Sequence, residues 1–291
     1  MLKDNLDQLI ALATSDHYAD GIYDARQEHQ KLTGEIYEDD KSYESRMAMF
    51  LEWYIYDRVL AESQMTPLES LIKENRNGWS RHELEIFEGF IRNIHGMFLV
   101  KKVRDDSIIV LNMFDDEKYE VKEEQGKLIF NKNDLFEARL MPYENAYYFS
   151  GNFCFHPGKA LKFIKKEVEK VSVVQFGYKK ELKKKESDLQ SENKQWNKVC
   201  SKIDKMRTKL QNAKSEKKIS AFKSELADLE VRRSEHEGRV AIMEKEIAQF
   251  IHEKIVREGR AAQAHLTQKL SYMHLKWERS RQIDLNDIYR N

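Results

Sequence analysis

Proline is scarce in this chain: three residues in 291, beside eleven glycines. That scarcity excludes a loop-rich or collagen-like protein and favours long uninterrupted elements. Cysteine is scarcer still. Cys154 and Cys200 are too few for a disulfide framework and lack the paired spacing of a zinc finger. A reducing compartment fits this usage. No window approaches the roughly 18 consecutive apolar residues of a membrane span. The first 18 residues lack a basic n-region and a cleavage site, so they read as a helix and not as a signal peptide. The expectation is a cytoplasmic protein away from the membrane. A Gly-rich phosphate loop is missing, as is a Lys-Ser/Thr loop. His82-Glu83 has Ile86 where a zinc-hydrolase helix needs its second histidine.

Net charge is absent too. Fifty Lys+Arg balance fifty Asp+Glu, which removes any global pull toward nucleic acid. Charged residues nevertheless make up 34% of the chain, more than a compact globule of this size needs, so elongated helices with solvated faces are expected. The balance is local only on average. Residues 1–76 hold 16 Asp/Glu against 8 Lys/Arg, a net of −8, and residues 178–218 hold 14 Lys/Arg against 6 Asp/Glu, a net of +8.

Three segments follow from the hydrophobic period. Residues 1–95 read as helices. Thr66-Pro67-Leu68-Glu69 and Ser80-Arg81-His82-Glu83 carry capping-box spacing. Asn77-Gly78 reads as the stop between them. At Gly96 the period changes. Short strand-like runs at 97–100, 107–111, 118–121, 127–130, 135–141 and 146–155 are separated by polar turns. Five or six strands in about 60 residues suit a small antiparallel sheet or barrel over 96–156, closed against open edges. Residues 157–291 turn helical again. Leu182, Leu189, Trp196, Ile203 and Leu210 recur every seven residues, and Ile219 to Phe250 alternates three and four. The two registers do not join across 211–218. Folding the chain there sets Ile203 on Leu226, Leu189 on Val240, Trp196 on Arg233 as a cation–π pair, and Asn193 on His236. An antiparallel coiled-coil hairpin is therefore expected, with arms at about 178–210 and 219–251 and a helix returning afterwards. The competing arrangement is one long helix pairing in parallel with a second copy. The tail, 283–290, reads either as an extended segment docked on a groove or as a disordered end. The class is α+β, mainly α.

Chemistry is thinly marked. Cys154 and His156 share a strand face, and a core cysteine accounts for them better than a catalytic dyad. Glu35, Glu38, Asp39 and Asp40 read as a solvated acidic loop. Neither a catalytic residue, a cofactor nor a metal is expected. The stretch FLEWYIYDRVL, residues 50–60, is the best-defined candidate. On a helix Phe50, Trp53, Tyr54 and Asp57 share one face, which puts a carboxylate on an apolar stripe. A buried carboxylate needs a partner. Arg58 and Tyr54 are the expected ones, in a structural ion pair, with Glu52 in solvent. The other reading of Asp57 is a proton-transfer carboxylate in an enzyme.

The pattern Phe50-x-Glu52-Trp53-x-x-x-Asp57-Arg58-x-Leu60, followed by Thr66-Pro67-Leu68-Glu69, resembles a helical segment of uncharacterised bacterial proteins, some with a SEC-C-type zinc motif. In them a short β region follows, similar to residues 97–141 here. The resemblance covers about 45–155. The zinc motif is missing from this chain, and the family implies no activity and no site residue.

A non-enzymatic interaction or scaffold protein is the reading these features favour. Its partner surfaces would be the coiled-coil hairpin and the β domain, with Lys179, Lys180, Lys183, Lys184, Lys185, Trp196 and Arg233 turned toward a protein partner with an acidic face, including a second copy in a homodimer. The alternative is nucleic-acid association through the basic arm 178–218.

Overall fold

A computed structural model describes residues 2–15, 19–75, 78–123, 126–280 and 282–290. The chain forms two compact units, Met1–Ser172 with Arg260–Asn291, and Val173–Gly259. The boundaries expected at 95/96 and 156/157 both fall inside the first unit. The physical reason is shared burial: Met141 of the sheet belongs to the core of the helical head, and Met97 and Leu135 belong to a core completed by the C-terminal helices.

In the first unit, α1 (Leu2–Ala13), α2 (Ala19–Thr33), α3 (Tyr43–Tyr56), α4 (Pro67–Asn75) and α5 (Arg81–Phe90) form the head. Both capping boxes are present. Thr66 and Glu69 exchange backbone and side-chain hydrogen bonds, as do Ser80 and Glu83. The stop placed at Asn77-Gly78 lies partly outside the described residues, since Asn77 is one of those not described. Helix α2 ends at Gly34, whose φ of +76 suits glycine. A Cβ there would also lie 2.7 Å from the Tyr272 ring.

Six strands follow: β1 (Ile94–Val103), β2 (Ser107–Asn112), β3 (Lys118–Lys122), β4 (Leu135–Tyr143), β5 (Ala146–Phe149) and β6 (Cys154–His156). Their order is β1-β2-β3-β5-β4-β6, and β4 also pairs with β1. The first five strands thus close a ring. All pairings are antiparallel except β3–β5. A closed five-strand ring with this order is the arrangement of an OB-type Greek-key barrel. A bulge between Val100 and Lys102 lets β1 bend while Val100 and Val103 both face inward. Glu144 and Asn145, with φ of 46 and 60, make the tight β4–β5 turn.

The strand expected at 127–130 is instead a four-residue helix, α6 (Gly126–Ile129), after which Phe130 drops into the barrel. The run expected at 146–155 breaks into β5 and β6 around Gly151, whose φ is +104. Inside the barrel Phe98, Phe130, Phe136, Phe149, Phe153 and Phe155 cluster around one another.

Helix α7 (Leu161–Gln211) begins in the first unit and continues into the second. Helix α9 (Gly259–Arg279) and α10 (Leu285–Ile288) lie in the first unit. The tail is neither extended nor loose: Ile288 and Tyr289 are buried against Met97, Ile164 and Leu270.

The second unit holds the rest of α7, α8 (Glu216–Phe250) and a π-helical run, Ile251–Glu258. The two helices run back along each other. Ile203 and Met206 pack with Leu226 and Leu229 near the tip, and Tyr178 meets Phe250 and Glu258 at the far end. At the polar point of the seam, Glu192 accepts from Arg239 at 2.7 Å and lies 2.6 Å from His236. Sequence reading set Asn193 opposite His236. The observed partner is one residue earlier, because a carboxylate there can hold both basic groups.

Candidate functional site

In β1 and β4 the inward row is apolar, Phe98, Val100, Phe136, Ala138 and Leu140. Strand alternation sends His95, Glu137 and Arg139 outward. In a bare barrel these would be solvated. Here α3 and α9 cover that face, and Glu137 and Arg139 are 4% and 1% exposed.

Arg139 is the centre of the first cluster. Its guanidinium donates to Asp57 through both terminal nitrogens, to Asn93, and through Nε to Glu52 at 3.4 Å. It also lies over the Tyr56 ring, 4.9 Å from the centroid. Asn152 donates to the other Glu52 oxygen at 2.7 Å. His95 lies 3.8 Å from Asp57. Burial alone would raise the Asp57 carboxyl. The charges of Arg139 and His95 more than reverse that, so Asp57 titrates below its ordinary range. Burial likewise disfavours the charge on Arg139, and Asp57 and Glu52 restore it.

This corrects the expected ion pair. Asp57 is buried as expected, but Arg58 is not its partner. Helix α3 stops at Tyr56, and neighbouring residues point in different directions, so Arg58 turns away to Glu28 on α2 at 2.9 Å. The Tyr54 hydroxyl is buried without a hydrogen-bond partner among the described residues. Glu52 is held in the cluster and does not stand in solvent. Arg139 lies 82 residues from Asp57. Its only sequence trace is a polar residue between Leu135 and Met141 at outward-facing spacing.

A second cluster adjoins the first through Glu137, whose Oε1 lies 2.8 Å from His95 Nε2. The β4–β6 register sets Glu137 directly opposite Cys154, with His156 two residues along. Tyr289 fixes His156 Nδ1 at 3.0 Å. Arg46 comes in from α3, donating to the carbonyls of Thr33 and Ser271. Burial pushes the Cys154 thiol up and the His156 imidazole down to about 3, so both are neutral near pH 7. A polar cavity of ≈ 20 Å³, room for about one water, is lined by Arg46, Glu52, His95, Glu137, Arg139 and Ser271 among others.

His29 also lines that cavity. It packs on Phe50 and Trp53, with Thr33 Oγ1 3.1 Å from Nδ1. Burial, and secondarily Arg46, lowers its pKa to about 3. Unfolded, this imidazole takes a proton near pH 6.5; folded, it stays neutral. The unfolded state therefore binds more protons, and stability falls as pH drops below about 6.5. His29 should contribute about 1.4 kcal/mol per pH unit over that interval. Urea unfolding of wild type and His29→Gln between pH 7.5 and 4.5 checks it. The variant's slope should be shallower by about one proton; equal slopes would contradict the assignment.

The residues singled out on the arm lie on α7 and α8. Lys179, Lys180, Lys183 and Lys184 are exposed, while Lys185 lies over the Phe250 ring at 5.5 Å. Trp196 Nε1 and Arg233 Nε are buried in the hairpin without hydrogen-bond partners among the described residues. Those two side chains belong to the seam and not to an outer surface. The acidic loop is not merely solvated: Asp40 pairs with Arg279.

No described helix is long and apolar enough to cross a membrane. No curated protein and no solved structure matches the chain. A family model matches residues 3–195. The chain belongs to that family, described as Family of unknown function (DUF7986), which agrees with the expected kinship to uncharacterised proteins.

Proposed function

We propose that this is a non-enzymatic interaction or scaffold protein of the bacterial cytoplasm, whose helical hairpin engages a protein partner with an acidic face. The observation that carries the reading is one stripe of α7. Val173 and Phe176 are 71% and 70% exposed. At helical spacing the same stripe continues into Lys180, Lys183 and Lys184, all exposed. Exposed aromatic and aliphatic side chains followed by lysines suit an apolar anchor with an electrostatic rim. Arg139 and Asp57 saturate one another and leave neither group poised for proton transfer, which also favours binding over catalysis.

Cross-linking of the purified full chain in native lysate, followed by mass spectrometry, tests this. Phe176→Glu with Val173→Glu should remove the cross-links that map to α7 and leave the fold intact by circular dichroism. Retention of those cross-links would defeat the proposal, and cross-links only to a second copy would make the partner the protein's own acidic head.

One observation favours a second reading, nucleic-acid association. Exposed Lys179, Lys180, Lys183 and Lys184 form a positive run on α7 of the kind that neutralises backbone phosphates. Anisotropy of a labelled single-stranded oligonucleotide at low salt decides it. Salt-dependent binding lost on charge reversal of Lys180 and Lys183 would support it, and no binding at low salt would end it.

A further inference from the structure

We infer that Glu137, Cys154 and His156 form a site for a divalent transition-metal ion, with zinc the best match to a carboxylate, thiolate and imidazole set. One ligand atom from each lies within 4.8 Å of the others, and all three residues are buried. Tetrahedral bonds of about 2.0–2.3 Å put ligand atoms roughly 3.3–3.8 Å apart, so closure requires about an ångström of side-chain movement.

The independent sign is which atoms lack partners. Glu137 Oε2 and His156 Nε2 are buried with no hydrogen-bond partner among the described residues. Leaving such groups bare is costly, and native proteins rarely do it without a ligand or water. Their other ends are held: Glu137 Oε1 by His95 at 2.8 Å, His156 Nδ1 by Tyr289 at 3.0 Å. Fixing one end of a ligand and freeing the other is what an outer shell does in a metal centre.

His274 stands next to the triad. Its ring centroid is 5.9 Å from that of His156, and its Nδ1 is also buried and unpartnered. It is the natural fourth ligand after a rotation, with water as the other choice. The opposing charge is Arg46, near both Cys154 and His274. Its terminal nitrogens are committed to two backbone carbonyls. A dication with two anionic ligands and neutral imidazoles leaves a neutral centre, which suits this burial. On binding, the Cys154 thiol proton goes to solvent and the sulfur–metal bond forms, with no redox change.

The test uses the full chain, stripped with chelator and titrated with Co(II), then with Zn(II) by calorimetry. One equivalent of cobalt should give a thiolate charge-transfer band that zinc abolishes. Cys154→Ser should lose the band. Glu137→Gln and His156→Asn should each weaken zinc by at least ~10-fold, and Cys200→Ser should leave it unchanged. Zinc should raise the Tm of wild type and of Cys200→Ser and not that of Cys154→Ser, a comparison that holds even if the variants are less stable. Absence of stoichiometric binding by the folded wild type, or binding unchanged in all three variants, would overturn the site.

Discussion

Arg139→Leu will destabilise the first unit by about 3–5 kcal/mol, the usual cost of stranding a buried carboxylate without its cation. Asp57 keeps its burial and loses both guanidinium contacts, and Glu52 loses a third. Leucine cannot hydrogen-bond, so no lone pair is recovered. The loss should depend on pH in a definite direction. In wild type the depressed Asp57 carboxyl adds stability above about pH 3.8, its unperturbed value, and that contribution disappears as pH falls through the lower folded value. In the variant the carboxyl is buried without its arginine and keeps only His95 at 3.8 Å, so its folded pKa rises and its penalty eases as acid neutralises it. The gap between wild type and variant should therefore narrow from pH 8 toward pH 4.5. Urea midpoints across that range measure it, and a gap that widens in acid would contradict the pairing.

Phe136→Ala will cost a similar amount, about 3–5 kcal/mol, for a different reason. The ring is 0% exposed. It lies 5.0–6.0 Å between centroids from Phe98, Phe130, Phe149, Phe153 and Phe155. Removing it opens a cavity among rings anchored on β1, β5, β6 and the loops beside them, and a closed barrel cannot collapse to fill it. Head and barrel share burial through Met141, so near-ultraviolet dichroism and amide exchange should report one cooperative loss over both. Selective loss of the barrel, with α1 to α5 retained, would show that the head folds independently.

Much of the backbone was legible in local chemistry. Capping boxes at Thr66 and Ser80 announced α4 and α5, polar turns spaced the strands, and the broken heptad register at 211–218 marked the hairpin tip. What sequence withheld is non-local. The β1–β4 closure and the parallel β3–β5 pair leave no signal within either strand. Residues 127–130 have a strand-like composition, but they serve as the connection that brings Phe130 into the barrel. Asp57 was recognisable as a buried acid because apolar neighbours share its helical face. Its partner was not, since Arg139 looks like any outward residue of an alternating strand until helices cover that face. Glu137, Cys154 and His156 escape motif reading for the same reason: strand pairing brings them together, not spacing.

A double-mutant cycle on Asp57→Asn and Arg139→Gln, followed by urea unfolding at pH 7.5, asks most directly whether the head and the barrel are joined through this buried pair. The double variant should be less destabilised than the sum of the singles by roughly 1.5–3 kcal/mol. Additivity to within about 0.5 kcal/mol would contradict it.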